Sequence, residues 1–344
     1  MFAVPGDLAT PTGGYAYDRR IIAELPDCGW HASVLALGDG FPRPAARAHA
    51  AACARLTALP AGPPVVVDGL AFGVLPDAAQ AMERTHRVVA LVHHPLALES
   101  GLSVQDAETF RTSERRVLAH SRHVVATSQA TARVLETDYG VARERISVVE
   151  PGTDRGTAVR KTGETGRVAL LAVGAVVPRK GYDLLIAALA QLKHLSWRLT
   201  IAGDRTRDPK TTREVEVAIA RFDLADRIEM PGSVSDERLS SLYASADLFV
   251  LPSRFEGYGM AYAEALAHGL PVVATNTGAI PDTVPAEAGV LVPPDNVQAL
   301  AASLARIIEQ PAERARLATA ARAARFPSWR EQAAKFAQVL ERLA

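Results

Sequence analysis

The chain reads as an α/β protein built from two doubly wound parallel sheets that face each other across a cleft. Three observations predict this. Short apolar runs alternate along the chain with stretches of helical periodicity, the pattern of parallel α/β layers. Runs such as Val65-Val66-Val67 and Leu248-Phe249-Val250-Leu251 are continuous rather than alternating, as strands covered on both faces require. The alternation stops at a polar stretch, residues 155–166, and then starts again.

In the first half, strands are expected at 2–5, 32–37, 64–69, 87–93, 123–127 and 146–150, with helical patterns between them at 14–25, 43–58, 104–120 and 129–138. The opening strand is short, because Met1 stands only four residues before Pro5-Gly6; an upstream start or a trimmed chain would account for it. Residues 155–166 carry no apolar periodicity and read as a linker. In the second half, strands are expected near 168–174, 198–203, 227–230, 247–251, 271–275 and 289–292. The expected domains are therefore 1–154 and 167–328, with a last helix from Trp329 to Leu343. Doubly wound sheets bind ligands outside the carboxyl ends of their strands, which places the expected site in the interdomain cleft.

Composition removes several classes of function. At 344 residues the chain is long enough for roughly two domains. Lys plus Arg and Asp plus Glu both total 38, so no net charge advertises nucleic acid or an anionic membrane. No apolar run approaches ~18–20 residues and no charged leader precedes one; peripheral membrane contact stays open. Cys28 and Cys53 are the only cysteines, read as having no Cys or His partner at metal-ligand spacing, and point to a reduced, cytoplasmic setting.

The densest signal runs from Pro252 to Val273. The strand Asp247–Leu251 leads through Glu256-Gly257-Tyr258-Gly259-Met260 into a helical pattern that contains Glu264 and stops at Gly269-Leu270-Pro271. Glu256 thus sits on the strand-to-helix loop, and Glu264 more than a turn into the helix. Two carboxylates at different depths, with helix N–H groups between them, suit a polyhydroxylated ligand that carries phosphate.

These residues resemble the paired-glutamate signature of the family 4 glycosyltransferases, retaining enzymes of GT-B fold that use nucleotide sugars. The likeness extends through Gly269-Leu270-Pro271-Val272-Val273-Ala274 and Gly289-Val290-Leu291-Val292-Pro293-Pro294. It covers the C-terminal half and is thinner in the N-terminal half. The resemblance implies a GT-B fold of two Rossmann-like domains, an acceptor domain first and a nucleotide-sugar domain second, with the helix 329–344 returning to the first.

Four further places line the expected cleft. Gly13-Gly14, between the first strand and its helix, lets backbone approach an anion at a helix N-terminus; an ordinary turn is the competing reading, and the resemblance favours a ligand loop. Arg179 and Lys180 follow the strand ending at Gly174, before a helix expected from Tyr182 to Lys193, and would meet a diphosphate leaving group where no metal does. Only five lysines occur in the chain, which argues against a casual surface pair. The family often places an arginine where this chain has Ala175, so the charge load falls on Arg179 and Lys180. His93 and His94 close the fourth strand on opposite faces, and Pro95 fixes the exit. The resemblance implies that one of them contacts the transferred sugar or orients the acceptor; His93 is the match, with His94 the other candidate. No third ligand is evident beside them, so no metal site is read. Gly203 and Asp204 close another strand, and the resemblance puts that loop near the nucleotide.

The resulting expectation is a metal-independent, retaining transfer of sugar from a nucleoside diphosphate sugar to an acceptor hydroxyl. His93, Glu256, Lys180 and Arg179 carry the chemistry, with Gly13, Gly14, Gly203, Asp204, Gly257, Tyr258, Gly259, Met260 and Glu264 binding substrate. No cofactor is expected beyond the donor itself. GDP-mannose and UDP-glucose are the common donors of the family; a glycan, a lipid-linked sugar and a small metabolite all remain open as acceptors. The alternatives are a nucleotide-sugar hydrolase or epimerase on the same scaffold, and a nucleotide-sugar-binding protein without turnover.

Overall fold

The structure, a computed structural model, describes residues 1–154, 156 and 166–344. The linker read at 155–166 lies outside the described residues except for Gly156 and Gly166. Two compact units result, Met1–Gly152 with Pro327–Ala344, and Thr153–Phe326.

The first unit is built on β1 (Phe2–Val4), β2 (Val34–Ala36), β3 (Val65–Asp68), β4 (Val88–Val92), β5 (His123–Ala126) and β6 (Ile146–Val148). They form one parallel sheet in the order β2-β1-β3-β4-β5-β6. Every residue of β3 and β4 is buried, because helices cover both faces, and this is why their sequences run apolar without alternation. The edge strand β2 is exposed at Val34 and Ala36. Thr12 caps the helix Gly13–Glu24 by accepting from the Tyr15 N–H, and Ser103 caps Val104–His120 in the same way through Asp106. The last helix, Trp329–Glu341, opens on a capping box of Ser328 and Glu331. Phe336, fully buried, stacks 5.5 Å from Phe2, and Trp329 meets Tyr17 edge-on at 6.0 Å. Cys53 does have a neighbour that the spacing supplies, contrary to the expectation from sequence: His49 stands one helical turn earlier, Nδ1 3.9 Å from Sγ.

The second unit repeats the plan with β7 (Val168–Val173), β8 (Trp197–Ala202), β9 (Ile228–Gly232), β10 (Leu248–Leu251), β11 (Val272–Thr275) and β12 (Gly289–Val292). All pairs are parallel, in the order β12-β11-β10-β7-β8-β9. The helix expected from Tyr182 to Lys193 ends at Ala190. The Leu192 carbonyl is taken by the buried indole N–H of Trp197 at 2.8 Å, and the chain turns toward β8 there. Among the described residues no helix is long and apolar enough to cross a membrane.

Each strand order reverses once, between β1 and β3 in the first unit and between β7 and β10 in the second. Loops leaving the two strands at such a point diverge and open a crevice at the carboxyl edge. The residues after β1 and β3, and those after β7 and β10, are therefore the places to look for chemistry.

Truncating Phe336 to Ala removes a fully buried ring from the contact between the last helix and β1. A loss of ~3–5 kcal/mol from the first unit is expected, read as an earlier denaturant transition of that unit by hydrogen exchange, with the second unit's amides unchanged.

Candidate active site

In the second unit the loop after β7 tightens into a turn at Pro178–Lys180 and passes through Gly181 in the left-handed region (φ 68°). A side chain at Gly181 would collide with the Pro252 carbonyl oxygen, so glycine lets this loop lie directly on the loop after β10. The Arg254 N–H donates to the Arg179 carbonyl at 2.7 Å, and its guanidinium holds Asp183 and the Pro178 carbonyl. Two loops from the switch point are thereby fastened together.

Glu256 sits between them, buried, and its carboxylate accepts three side-chain donors. Lys180 Nζ and Ser253 Oγ each lie 2.7 Å from Oε1, and Arg179 donates to Oε2 at 2.9 Å. Burial pushes the Glu256 pKa up, but the charges of Lys180 and Arg179, with the hydrogen bonds from Lys180 and Ser253, outweigh it and hold the group at about 2. Glu264, on the helix Met260–Ala267, is in the opposite state. Burial, with Asp154 and Asp236 nearby, pushes it up to about 7, although Tyr243 donates to Oε2 at 2.9 Å and works the other way. Tyr243 is itself stacked on His268, ring centroids 4.8 Å apart.

Gly257 and Tyr258 form the connection into that helix. Gly259, in the left-handed region, is its N-cap, and Met260 is its first residue. No side chain caps the helix. Gly203 follows β8, its N–H bonded to the Gly232 carbonyl. The Asp204 carboxylate accepts from the Thr206 N–H and hydroxyl, both at 2.7 Å, and these bonds hold its pKa down. That side chain closes its own turn.

In the first unit, Gly13 and Gly14 open the helix after β1, and a Cβ at Gly14 would meet the His93 ring at 3.2 Å. No third group is evident beside His93 and His94 in the sequence; the fold brings two, Asp18 and Asp68, to His93. His93 Nε2 lies 3.4 Å from Asp18 Oδ1 and 3.4 Å from Asp68 Oδ2, with both carboxylates buried. Burial works against charge on the imidazole, but the two carboxylates more than offset it and raise His93 to about 10. Burial and the Asp68 charge push Asp18 up to about 7. Asp68 is lowered; burial opposes this, and His93 overcomes it. Asp18 lies mid-helix, where an amphipathic pattern shows only another polar position. Asp68 closes β3 and caps the next turn by accepting from Leu70 N–H at 2.6 Å. Only the strand order brings them to His93. His94 turns away, with Nε2 3.4 Å from Glu99.

Residues 154–324 match the family model described as glycosyl transferases group 1, and residues 16–156 that of Glycosyltransferase Family 4. The MMP alpha-(1->4)-mannosyltransferase of Mycolicibacterium hassiacum is 31% identical over 274 residues, which cover 74% of this chain and 65% of that protein. The match thus spans less than two thirds of that relative's length. Among solved structures, sucrose-phosphate synthase from Thermosynechococcus elongatus superposes with a TM-score of 0.81 at 21% identity, covering 99% of this chain and 98% of that one. Anabaena HepE in complex with UDP and glucose gives 0.77 at 19% identity, covering 99% of both. The chain belongs to the family 4 glycosyltransferases, and its two parallel sheets are the Rossmann-like domains of the GT-B fold.

The Glu256 pKa, lowered from 4.5 to about 2, makes stability depend on pH with a definite sign. The contribution is present above the unfolded pKa and is lost as pH falls through the folded one. Glu256→Gln is therefore expected to lower the melting temperature of the second unit at neutral pH. The gap from the unaltered protein should narrow as pH falls from about 5 toward about 2, measured by calorimetry; a gap independent of pH would show that the ion pairs contribute nothing.

Proposed function

We propose that the chain is a retaining glycosyltransferase that moves a sugar from a nucleoside diphosphate sugar to an acceptor hydroxyl. The observation that carries this reading is the cluster of Arg179, Lys180 and Glu256 at the β7/β10 switch point. Two cations held within hydrogen-bond distance of one carboxylate form a preorganised place for a departing diphosphate. That carboxylate can accept from sugar hydroxyls through what remains of its roughly four lone-pair positions. The UDP and glucose bound to HepE, and the mannosyl transfer in the name of the mycobacterial relative, support a nucleotide-sugar donor.

The roles follow from chemistry. Lys180 and Arg179 meet the diphosphate charge, so no metal is assigned to the leaving group. Glu256 positions the donor sugar, and Glu264 accepts from the ribose. The amides of the uncapped helix after Gly259 add to the charge stabilisation. The Gly13-Gly14 loop is assigned to phosphate and His93 to the orientation of sugar or acceptor. In the bond-forming step the acceptor oxygen bonds to the anomeric carbon on the face that the diphosphate leaves. The anomeric C–O bond to phosphate breaks with its electron pair, and the acceptor proton passes to the phosphate oxygen. Acceptors in keeping with this reading are a glycan, a lipid-linked sugar or a small metabolite. The two free cysteines support a cytoplasmic setting.

Lys180→Ala is expected to reduce turnover by ~10²–10³, as when one preorganised donor is lost elsewhere. Glu256→Gln should also cripple transfer, yet bind bare nucleoside diphosphate at least as well, because it removes the carboxylate that engages both cations. Calorimetric titration and sugar-release assays read both. Unchanged turnover in folded Lys180→Ala at saturating donor would overturn the assigned role.

Glu264 accepts from a ribose more strongly when ionised, through a charge-assisted hydrogen bond, and its pKa is pushed up to about 7. Nucleoside diphosphate affinity is therefore expected to rise with pH through about 7 and to level off above it. In Glu264→Gln affinity should be lower and without that step. A wild-type titration without the step would remove Glu264 from ribose recognition.

A further inference from the structure

Tyr243 is buried, and its hydroxyl reaches the carboxylate that the transfer reading gives to the ribose. Tyr243 lies on the helix Asp236–Ser245, which follows β9, and Glu264 on Met260–Ala267, which follows β10. The phenol donates to Glu264 Oε2 at 2.9 Å. Glu264 Oε1 makes no hydrogen bond among the described residues, and the residue is only half-buried. One oxygen is therefore anchored, and the other keeps its lone pairs for a ligand.

A buried tyrosine hydroxyl needs a partner, but it does not need a carboxylate. Tyr17, Tyr182 and Tyr262, buried as deeply, donate to the backbone carbonyls of Val149, Gly174 and Leu251. Of these four rings only Tyr243 donates to an acid. It is fixed by stacking on His268, centroids 4.8 Å and planes 21° apart, and by Phe249 of β10 at 6.2 Å. His268 is held in turn. Its Nδ1 donates to the Glu264 carbonyl at 2.9 Å, and Gly156 leaves room for the imidazole, since a Cβ there would stand 2.6 Å from Cδ2. His268 thus holds the Glu264 backbone and the ring that holds the end of the Glu264 side chain.

The charged and titratable groups that face Glu264 are Tyr243, Asp154, Asp236 and Lys180. Burial and the two acids favour its neutral form; the Tyr243 bond is the strongest influence toward the anion, with Lys180 behind it. Burial and the charge of Glu264 push the Tyr243 pKa well above the usual tyrosine value, with Tyr182 adding to the effect, so the phenol keeps its proton and stays a donor.

We propose that Tyr243, braced on His268, is a positioning residue for donor recognition: it anchors Glu264 Oε2, keeps the carboxylate ionised, and presents Oε1 to the ribose. This rests on the ribose role given to Glu264 above.

Tyr243→Phe keeps the ring on His268 and removes only the donor. Calorimetric titration with UDP and with GDP from about pH 6 to about pH 9 tests the proposal. The step due to Glu264 is read as the difference from Glu264→Gln, because the terminal phosphate of the ligand itself titrates near about 6. In Tyr243→Phe that step is expected to move up by about one pH unit. Affinity at about pH 7 should fall by up to roughly fivefold, which is the drop in ionised carboxylate that such a shift produces. A step in the unaltered protein that stays at the same pH in Tyr243→Phe would overturn the role of Tyr243 alone, even if the variant were less stable. Absence of any step in the unaltered protein would remove Glu264 from ribose recognition, and Tyr243 with it. If Tyr243→Phe does not fold, fluorinated tyrosine placed at position 243 decides the question. Its more acidic phenol donates more strongly and should move the step to lower pH; an unmoved step would overturn the proposal.

Discussion

A buried carboxylate with three donors, Glu256, is the constraint on which the second unit's chemistry depends. Left alone at that depth it would be neutral. With Lys180, Arg179 and Ser253 around it the group stays ionised, and its pKa falls to about 2. Removing one partner from such a pair strands the other charge, at a cost of ~3–5 kcal/mol. The loops after β7 and β10 therefore cannot separate cheaply. Gly181 permits their contact, Arg254 fastens it, and Glu256 fixes the two cations at the edge of the sheet. Stability and preorganisation come from the same bonds.

The same chemical group takes the opposite state a short distance along the chain. Glu264 has a tyrosine hydroxyl for a partner and acidic neighbours, and is raised to about 7. Two glutamates with pKa values pushed apart by their surroundings are suited to different tasks. One is a permanent anion that organises cations, and the other is an acceptor whose strength varies near neutrality. The first unit offers a third arrangement, two buried carboxylates facing one imidazole. It is acidic where the second unit's site is basic.

Much of this was legible in the sequence for a physical reason. Strands covered on both faces must be continuously apolar, as β3, β4 and β10 are, and all twelve expected strands are present to within a residue or two at their ends. Residues that follow such strands sit at the carboxyl edge whatever their partners, so Lys180, Glu256, Gly14 and His93 could be picked out individually. Their mutual contacts could not. That Lys180 and Arg179 bind Glu256 depends on β7 lying beside β10, and pairing order is not written in local pattern. Asp18 was invisible because one acid on an amphipathic helix looks solvated. Asp68 looked like a turn residue, and that is part of what it does. The early end of the helix at Ala190 depended on a carbonyl captured by Trp197, seven residues further on.

In the proposed transfer, Lys180 exchanges the Glu256 carboxylate for a diphosphate. A crystal structure of the protein with a bound nucleoside diphosphate measures this directly, through the position of Lys180 Nζ, now 2.7 Å from Glu256 Oε1. The expected result is Nζ within hydrogen-bond distance of a phosphate oxygen, with Arg179 beside it and the ribose hydroxyls on Glu264. A diphosphate bound elsewhere, with Lys180 and Arg179 still closed on Glu256, would contradict the account.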